Sequence, residues 1–261
     1  MPRRKFQPAL PKLSPDLKLQ PHDFLSVIRL VPDACPMIGG QAVAYWANRY
    51  SIAPANNPIT SRDIDFWGSR DDVKTLAKRL NQQAVFPQAY EMTVWAGAIE
   101  IIIQGQTTLV EMLHTVPGLD VNEPDQAAVK RAIQGTELYI LSPVSLVLAK
   151  LHALRNFDQE QREDKFHLMV SIACSAHYIS ELLSRKHIRL ALRECERVIR
   201  ARSLKATRRL ESQHAFNLLD AIPIAAMKAE ADHSQQDTSD HGRLRSFLEK
   251  RWPEVSKRSS G

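Results

Sequence analysis

The sequence has no apolar run that approaches the roughly 18 residues a helix needs to cross a bilayer. Cysteine is also scarce: Cys35, Cys174 and Cys195 are scattered without CxxC spacing, which argues against a disulfide framework and a zinc site. The segment 1–5 is basic, but the apolar segment of a secretory signal does not follow it. We therefore expect a cytoplasmic protein with no membrane partner.

Glycine and proline are absent from residues 144–222, whereas seven of the nine glycines lie at or before Gly135. Because both residues interrupt helices, this distribution predicts a mixed first half and an almost wholly helical second half. A chain of 261 residues can hold two modest domains. We predict an α/β (α+β) domain with a mixed sheet over residues 1–142 and an all-α domain over residues 143–261. The polar segment 232–240 is predicted to be a flexible linker.

Hydrophobic periodicity and β-branched residues predict the individual elements. In the first half we expect helices at 23–30, 41–50, 71–82 and 126–133, and strands at 64–67, 93–95, 99–103, 108–113 and 137–141. In the second half we expect helices at 143–155, 160–175, 177–184, 187–202, 213–230 and 243–252. Pro223 is predicted to kink or split the fifth of these.

The net charge of +6 is concentrated in one segment, residues 185–209, where ten basic residues face two acids for a local charge of +8. Within it, one helix face carries arginines at intervals of four, four and three residues: Arg189, Arg193, Arg197 and Arg200. Such a face is suited to RNA phosphates. A merely solvated helix face is the alternative.

Two glycines, Gly39 and Gly40, stand between a short apolar segment and a predicted helix. Glycines let backbone amides approach a phosphate closely, and the helix start adds unpaired N–H groups and the positive end of the helix dipole. A plain tight turn has the same pattern. The pair is therefore a candidate phosphate site.

Two aspartates, Asp63 and Asp65, are spaced to project from the same face of a strand. Two carboxylates that close repel each other, and a divalent cation would relieve the repulsion; Mg²⁺ typically binds through one or two carboxylates plus substrate phosphates. A solvated edge strand is the alternative. The apolar Ile64 and Phe66 favour a strand whose other face is buried in a sheet.

A third acid and a lysine are the remaining candidates for active-site residues. Glu111 lies within the apolar segment 108–113, where its burial costs free energy unless it has a partner, and it could help to deprotonate an attacking hydroxyl. Glu100 is an alternative candidate for this role. If the sheet face is open to water, either glutamate is simply a solvated side chain. Lys150 on an apolar helix suits a triphosphate, or is a lysine that extends to solvent at the helix end.

The order of these features resembles the polymerase-beta-type nucleotidyltransferase superfamily. More closely, the segments IGGQA (38–42), TSRDIDF (60–66) and VEMLHTVPG (110–118) are similar to bacterial AbiEii-like and MenT-like toxin nucleotidyltransferases. Further downstream, segment 141–143 and a set of polar residues fit these families: Lys150, Arg155, Arg162, Asp164 and His167. The resemblance spans residues 36–170.

The resemblance implies a nucleotidyltransferase domain in which Gly39, Gly40 and Ser61 cradle the nucleotide phosphates, while Asp63 and Asp65 hold Mg²⁺. It also implies a role for two residues of the helical half, so that the active site would lie between the domains: Lys150 would meet the triphosphate, and Asp164 would complete the site. Many superfamily members carry aspartate on the third acidic strand, where this chain has Glu111.

The function predicted is that of a Mg²⁺-dependent enzyme that moves a nucleotide from an NTP to an RNA acceptor, with tRNA expected. The resemblance further implies a toxin of a toxin–antitoxin or abortive-infection system, with an antitoxin protein as a partner. One alternative is transfer to a small-molecule drug, which the basic segment disfavours because aminoglycosides are cationic. The other is a non-catalytic nucleotide- or RNA-binding module, which does not require two adjacent carboxylates.

Overall fold

The computed structural model describes residues 19–52, 59, 61, 63–88, 90–119, 127–157, 163–233 and 239–257. By its internal contacts the chain divides into two units between Ala149 and Lys150. The first unit is built on β-sheets and the second on helices. Arg62, Arg162 and the segment 234–238 of the predicted linker lie outside the described residues.

The first unit contains a four-stranded mixed sheet. Its strands are β1 (Ile64–Trp67), β2 (Ala84–Val85), β3 (Trp95–Ile103) and β4 (Gln106–Leu113), in the order β1-β4-β3-β2. The β1–β4 pair is parallel, whereas β4–β3 and β3–β2 are antiparallel. Strands β3 and β4 form a hairpin because Gln104 and Gly105 both have positive φ, 51° and 75°, as tight hairpin turns require.

Three helices accompany this sheet: α1 (Leu25–Ile28), which follows a 3₁₀ turn at Pro21–Phe24, α2 (Gly39–Arg49) and α3 (Arg70–Leu80). Helix α3 begins at a capping box, in which Ser69 and Asp72 satisfy each other's backbone N–H groups. Helix α2 buries Trp46, whose indole N–H donates to the carbonyl of Leu141 at 2.8 Å.

A second sheet of two antiparallel strands follows, β5 (Ala128–Ile133) and β6 (Thr136–Leu141). The predicted helix at 126–133 is therefore wrong over residues 128–133. Gln134 and Gly135 have φ of 46° and 80°, so the chain reverses in a two-residue hairpin turn and places Ile133 opposite Thr136. Pairing with β6 thus decides the conformation of a segment whose composition alone suits a helix.

Helix α4 (Pro143–Asn156) continues across the division between the units. Its first turn is capped by Ser142, whose hydroxyl accepts from the backbone N–H of Ser145 at 3.2 Å. Pro143 stands at the first helical position, where its missing N–H has no partner to lose.

The second unit is helical. It contains α5 (Asp164–Ser184), α6 (Ile188–Ser203), α7 (Lys205–His214), a 3₁₀ turn (Leu218–Ala221), α8 (Ile224–His233), α9 (Ser239–Ser246), a π-helical turn (Phe247–Arg251) and α10 (Trp252–Lys257). The chain is therefore a mixed α/β protein with a mixed sheet and a helical C-terminal region, which confirms the predicted fold class.

Three of the helices predicted in this unit need correction. The helices at 160–175 and 177–184 are one helix, α5, because the hydroxyls of Ser171, Ser175 and Ser180 donate to carbonyls one turn back and are satisfied inside it. The predicted helix at 213–230 is broken: Ala215 ends α7 with a φ of 55°, and α8 begins only after Pro223.

The ends of the predicted linker 232–240 belong to helices, since α8 runs to His233 and α9 starts at Ser239. Among the described helices, α5 is long and apolar enough to cross a membrane. However, 61% of its most apolar window is buried inside the structure.

Candidate active site

The site begins where helix α2 meets strand β1. Gly39, the first residue of α2, has a φ of +65°, and a Cβ built there would lie 2.0 Å from Oδ2 of Asp65. A backbone hydrogen bond also links the residue before α2 to β1: the N–H of Ile38 donates to the carbonyl of Asp65 at 2.9 Å. The glycine therefore does more than form a turn: no side chain fits between the helix start and this carboxylate.

Three carboxylates lie near one another at strand β1. Asp65 on β1 is the register partner of Glu111 on β4, and Asp63, which directly precedes β1, is close enough for its charge to act on Glu111. Burial, followed by the charges of Asp65 and Asp63, raises the pKa of Glu111 from 4.5 to about 8. Ile64 and Phe66 are buried on the opposite face.

The register also separates the two glutamates between which the sequence left a choice. Glu100 on β3 lies opposite Leu109, whereas Ala98 lies opposite Glu111. Glu100 follows Ala98 by two residues, so it lies on the same face of the sheet as Glu111 but is not opposite it. Its side chain is exposed. Glu111 is the glutamate that lies beside the two aspartates.

The carboxylate cluster suits a divalent cation. Like charges in a partly buried position repel, and this repulsion is the second cause, after burial, of the raised pKa of Glu111. Within the described residues, no group of three or more His, Cys, Asp or Glu side chains is arranged to hold a metal ion. A cation bound by Asp63 and Asp65 would therefore take its other ligands from water and substrate phosphates, which is how Mg²⁺ is usually bound.

The segment before Asp63 is held by a residue that the sequence did not single out. The buried Gln41 donates from Nε2 to the carbonyls of Ser61 and Leu19, at 3.2 Å each. Leu19 and Ser61 also pair with each other through their backbones. The amide thus fixes Ser61, and with it the approach to Asp63, against the first turn of α2. Its position directly after Gly39-Gly40 was the available signal.

The predicted residues of the helical half form a pair of their own. Lys150 Nζ donates to Asp164 Oδ1 at 2.8 Å, and the side chains are only 12% and 2% exposed. Arg155 is exposed, and His167 is buried with Nε2 3.7 Å from a carboxylate oxygen of Glu163. The structure therefore brings Lys150 and Asp164 together as a buried ion pair.

Two of the arginines predicted to contact RNA have partners in the same chain. Arg189 Nε donates to Asp240 Oδ1 at 2.6 Å, and Arg197 Nη1 donates to Glu194 Oε2 at 2.7 Å. Glu194 is buried, which raises its pKa, while Arg197 and Arg193 oppose the rise.

The other two arginines differ from each other. Arg193 Nε lies 3.8 Å from Glu194 Oε1, a longer contact on a half-exposed side chain. Arg200 is exposed at the end of α6. The predicted face is thus partly neutralised by acids of its own unit.

No protein-family model matches the sequence, and no curated protein matches it. The solved structures similar to it include two with low sequence identity. One is an antigenic nucleotidyltransferase-like protein from Paracoccidioides brasiliensis, with 14% identity and a TM-score of 0.41 over 68% of this chain and 95% of that chain. The other is JHP933 from Helicobacter pylori, with 12% identity and a TM-score of 0.34 over 91% of this chain and 96% of that chain.

Proposed function

We propose that this protein is a Mg²⁺-dependent nucleotidyltransferase that moves a nucleotide from an NTP to an RNA acceptor, with tRNA as the expected acceptor. One observation carries the proposal. Asp65 and Glu111 are register partners next to Asp63, and the first residue of α2 must be glycine for Asp65 to lie where it does. A sheet that served only as a scaffold would gain stability from neutral residues at these positions.

The roles of the acids follow from their positions. Asp63 and Asp65 would hold Mg²⁺, which when bound neutralises phosphate charge. Glu111 would accept the proton of the attacking hydroxyl, because it lies beside Asp65 as its register partner across the sheet. The hydroxyl oxygen bonds to the α-phosphorus, and the bond to the leaving pyrophosphate breaks.

Gly39, Gly40 and Ser61 would face the phosphates, because helix α2 begins at Gly39 and its first amides have no partner within the helix. Lys150 and Asp164 enter the proposal through the sequence resemblance. Lys150 would contribute positive charge to triphosphate binding, with Asp164 holding its ammonium group.

The proposal is tested by incubating the purified protein with each α-labelled NTP, Mg²⁺ and total cellular RNA. We expect label in the tRNA band and none in Asp63→Asn. Glu100→Gln is the matched control, because it removes an exposed charge from the same sheet face and should keep activity. Label only in an added aminoglycoside would instead favour drug modification. Nucleotide binding without transfer would favour a non-catalytic module.

The cellular role is proposed from the resemblance to toxin nucleotidyltransferases. Induced expression in bacteria should stop growth, and Asp65→Asn should abolish the effect at equal protein level. An antitoxin would be identified as a protein that restores growth and binds the chain. Growth arrest by the inactive variant would contradict the role as a toxin enzyme.

A further inference from the structure

The ten basic residues of segment 185–209 fall into two groups in the structure. Six lie within 4 Å of an acid of the same unit, and in two of these pairs the acid comes from a distant part of the chain. These pairs are Arg185–Glu181, Lys186–Glu230, Arg189–Asp240, Arg193–Glu194, Arg197–Glu194 and Arg202–Glu211. Most of the local charge is thus used to balance acids of the unit itself.

The other four, Arg200, Lys205, Arg208 and Arg209, are exposed and have no acidic partner among the residues that the structure describes. We call them the basic corner, because they surround the sharp connection between α6 and α7. Lys205, Arg208 and Arg209 are spaced i, i+3 and i+4, so they share one face of α7.

The acids nearest to the basic corner in the sequence are already occupied. Glu211 accepts from Arg202 at 3.0 Å and from the backbone N–H of Leu218 at 2.8 Å. Glu196 accepts from Arg251 at 3.1 Å. Within the part of the chain that the structure describes, no acid therefore neutralises the four cations.

The placement of two of these cations is unfavourable for the helix itself. Lys205 and Arg208 lie in the first turn of α7, which contains no acid. Cations near the positive end of a helix dipole weaken the helix. A solvated face selected only for stability would carry acids there instead.

We propose that the basic corner binds the phosphate backbone of RNA, and so is the surface that takes up the acceptor. The statement that the bound RNA is the acceptor rests on the proposed function. Four exposed cations without internal partners are what counterion release requires. A lipid surface fits less well, because the less polar side of α7 is already used: Thr207 and Leu210 are buried, and Leu204 is the exposed apolar residue nearby.

The test is a salt titration of full-length protein binding to a fluorescent tRNA transcript. In the first variant all four residues of the basic corner become Gln. The matched control replaces four paired and partly exposed residues by Gln, namely Arg185, Lys186, Arg189 and Arg193. Arg197 is left in place because it is the closer partner of the buried Glu194.

We expect the log–log salt slope to become shallower by about 3 in the basic-corner variant and by less than about 1 in the control, at about 0.7–0.9 per lost contact. Thermal unfolding should show that the basic-corner variant is at least as stable as wild type. A variant that keeps Lys205 and carries Lys in place of the three arginines should retain the wild-type slope. Equal slopes for the two Gln variants would overturn the proposal, as would binding to phosphatidylcholine–phosphatidylserine vesicles but not to tRNA.

This proposal and the proposed function can fail separately. If nucleotide transfer to RNA is found but the basic-corner variant binds and reacts like wild type, the basic corner is not the RNA surface and the enzyme assignment stands. If tRNA binds through the basic corner but no nucleotide is transferred, the surface stands and the enzyme assignment is wrong.

Discussion

Replacing Gly39 by alanine tests the geometry of the site most sharply, because it adds one carbon atom next to a proposed metal ligand. That carbon would lie 2.0 Å from Oδ2 and 2.8 Å from Cγ of Asp65. Both distances are too short for atoms that are not bonded to each other, so Asp65 must rotate or the start of α2 must shift. Either movement would displace the carboxylate from the place it has beside Glu111.

The expected loss of stability has two parts. Alanine at a φ of +65° costs about 1–2 kcal/mol of backbone strain, and forcing a carbon into filled space typically costs about 1–3 kcal/mol more. Gly135→Ala isolates the first part, because Gly135 has a φ of +80° and a Cβ added there would have no atom within 4 Å. We therefore expect Gly39→Ala to be less stable than Gly135→Ala by about 1–3 kcal/mol.

Urea unfolding of the single variants and of Gly39→Ala combined with Asp65→Ala measures these contributions. Truncating Asp65 removes the two closest atoms and leaves its Cβ at 3.0 Å, so the two substitutions should couple favourably by about 1–2 kcal/mol. If Gly39→Ala were as stable as Gly135→Ala, or if the two changes simply added, the close approach of helix and carboxylate would be refuted.

Three further outcomes are expected. The pKa of Glu111 is raised in the folded state, which then binds more protons than the unfolded state from about pH 4.5 to about 8. Stability in a chelator should therefore fall as the pH rises through this range, and Glu111→Gln should be more stable at pH 8 by about 2–4 kcal/mol in urea unfolding; an unchanged pH dependence would contradict this. Lys150→Met leaves Asp164 buried without its cation and should cost about 3–5 kcal/mol, most of which is recovered when Asp164→Leu is added; no recovery would mean that the pair is not a unit. Asp63→Ala should keep the fold and lower turnover by several orders of magnitude, whereas turnover within about tenfold of wild type would exclude a metal role.

Local signals predicted much of the fold. The strand at 64–67 lies where the β-branched and aromatic residues indicated, and the helices of the second unit follow from its lack of glycine and proline. The failures are non-local. Segment 128–133 is a strand only because Gln134 and Gly135 turn it onto β6, and the two-residue strand β2 exists only through its pairing with β3.

The candidate site shows the same limit. The i, i+2 spacing of Asp63 and Asp65 was visible in the sequence, but the choice between Glu111 and Glu100 required the register of β3, β4 and β1. Which basic residues are neutralised by acids of the same chain was even harder to predict. Arg189 is paired with Asp240, 51 residues away, so no count within a segment could show it to be neutralised.

The central claim, that carboxylates at this position perform nucleotidyl transfer, is tested most directly by the initial rate of label transfer from α-labelled NTP to tRNA. Wild type and Asp65→Asn should be compared at saturating Mg²⁺, with unfolding curves to show that both are folded. We expect the variant to be slower by at least about 10³-fold, equivalent to about 4 kcal/mol of barrier. Equal rates, or transfer by wild type that continues undiminished in excess chelator, would contradict the account.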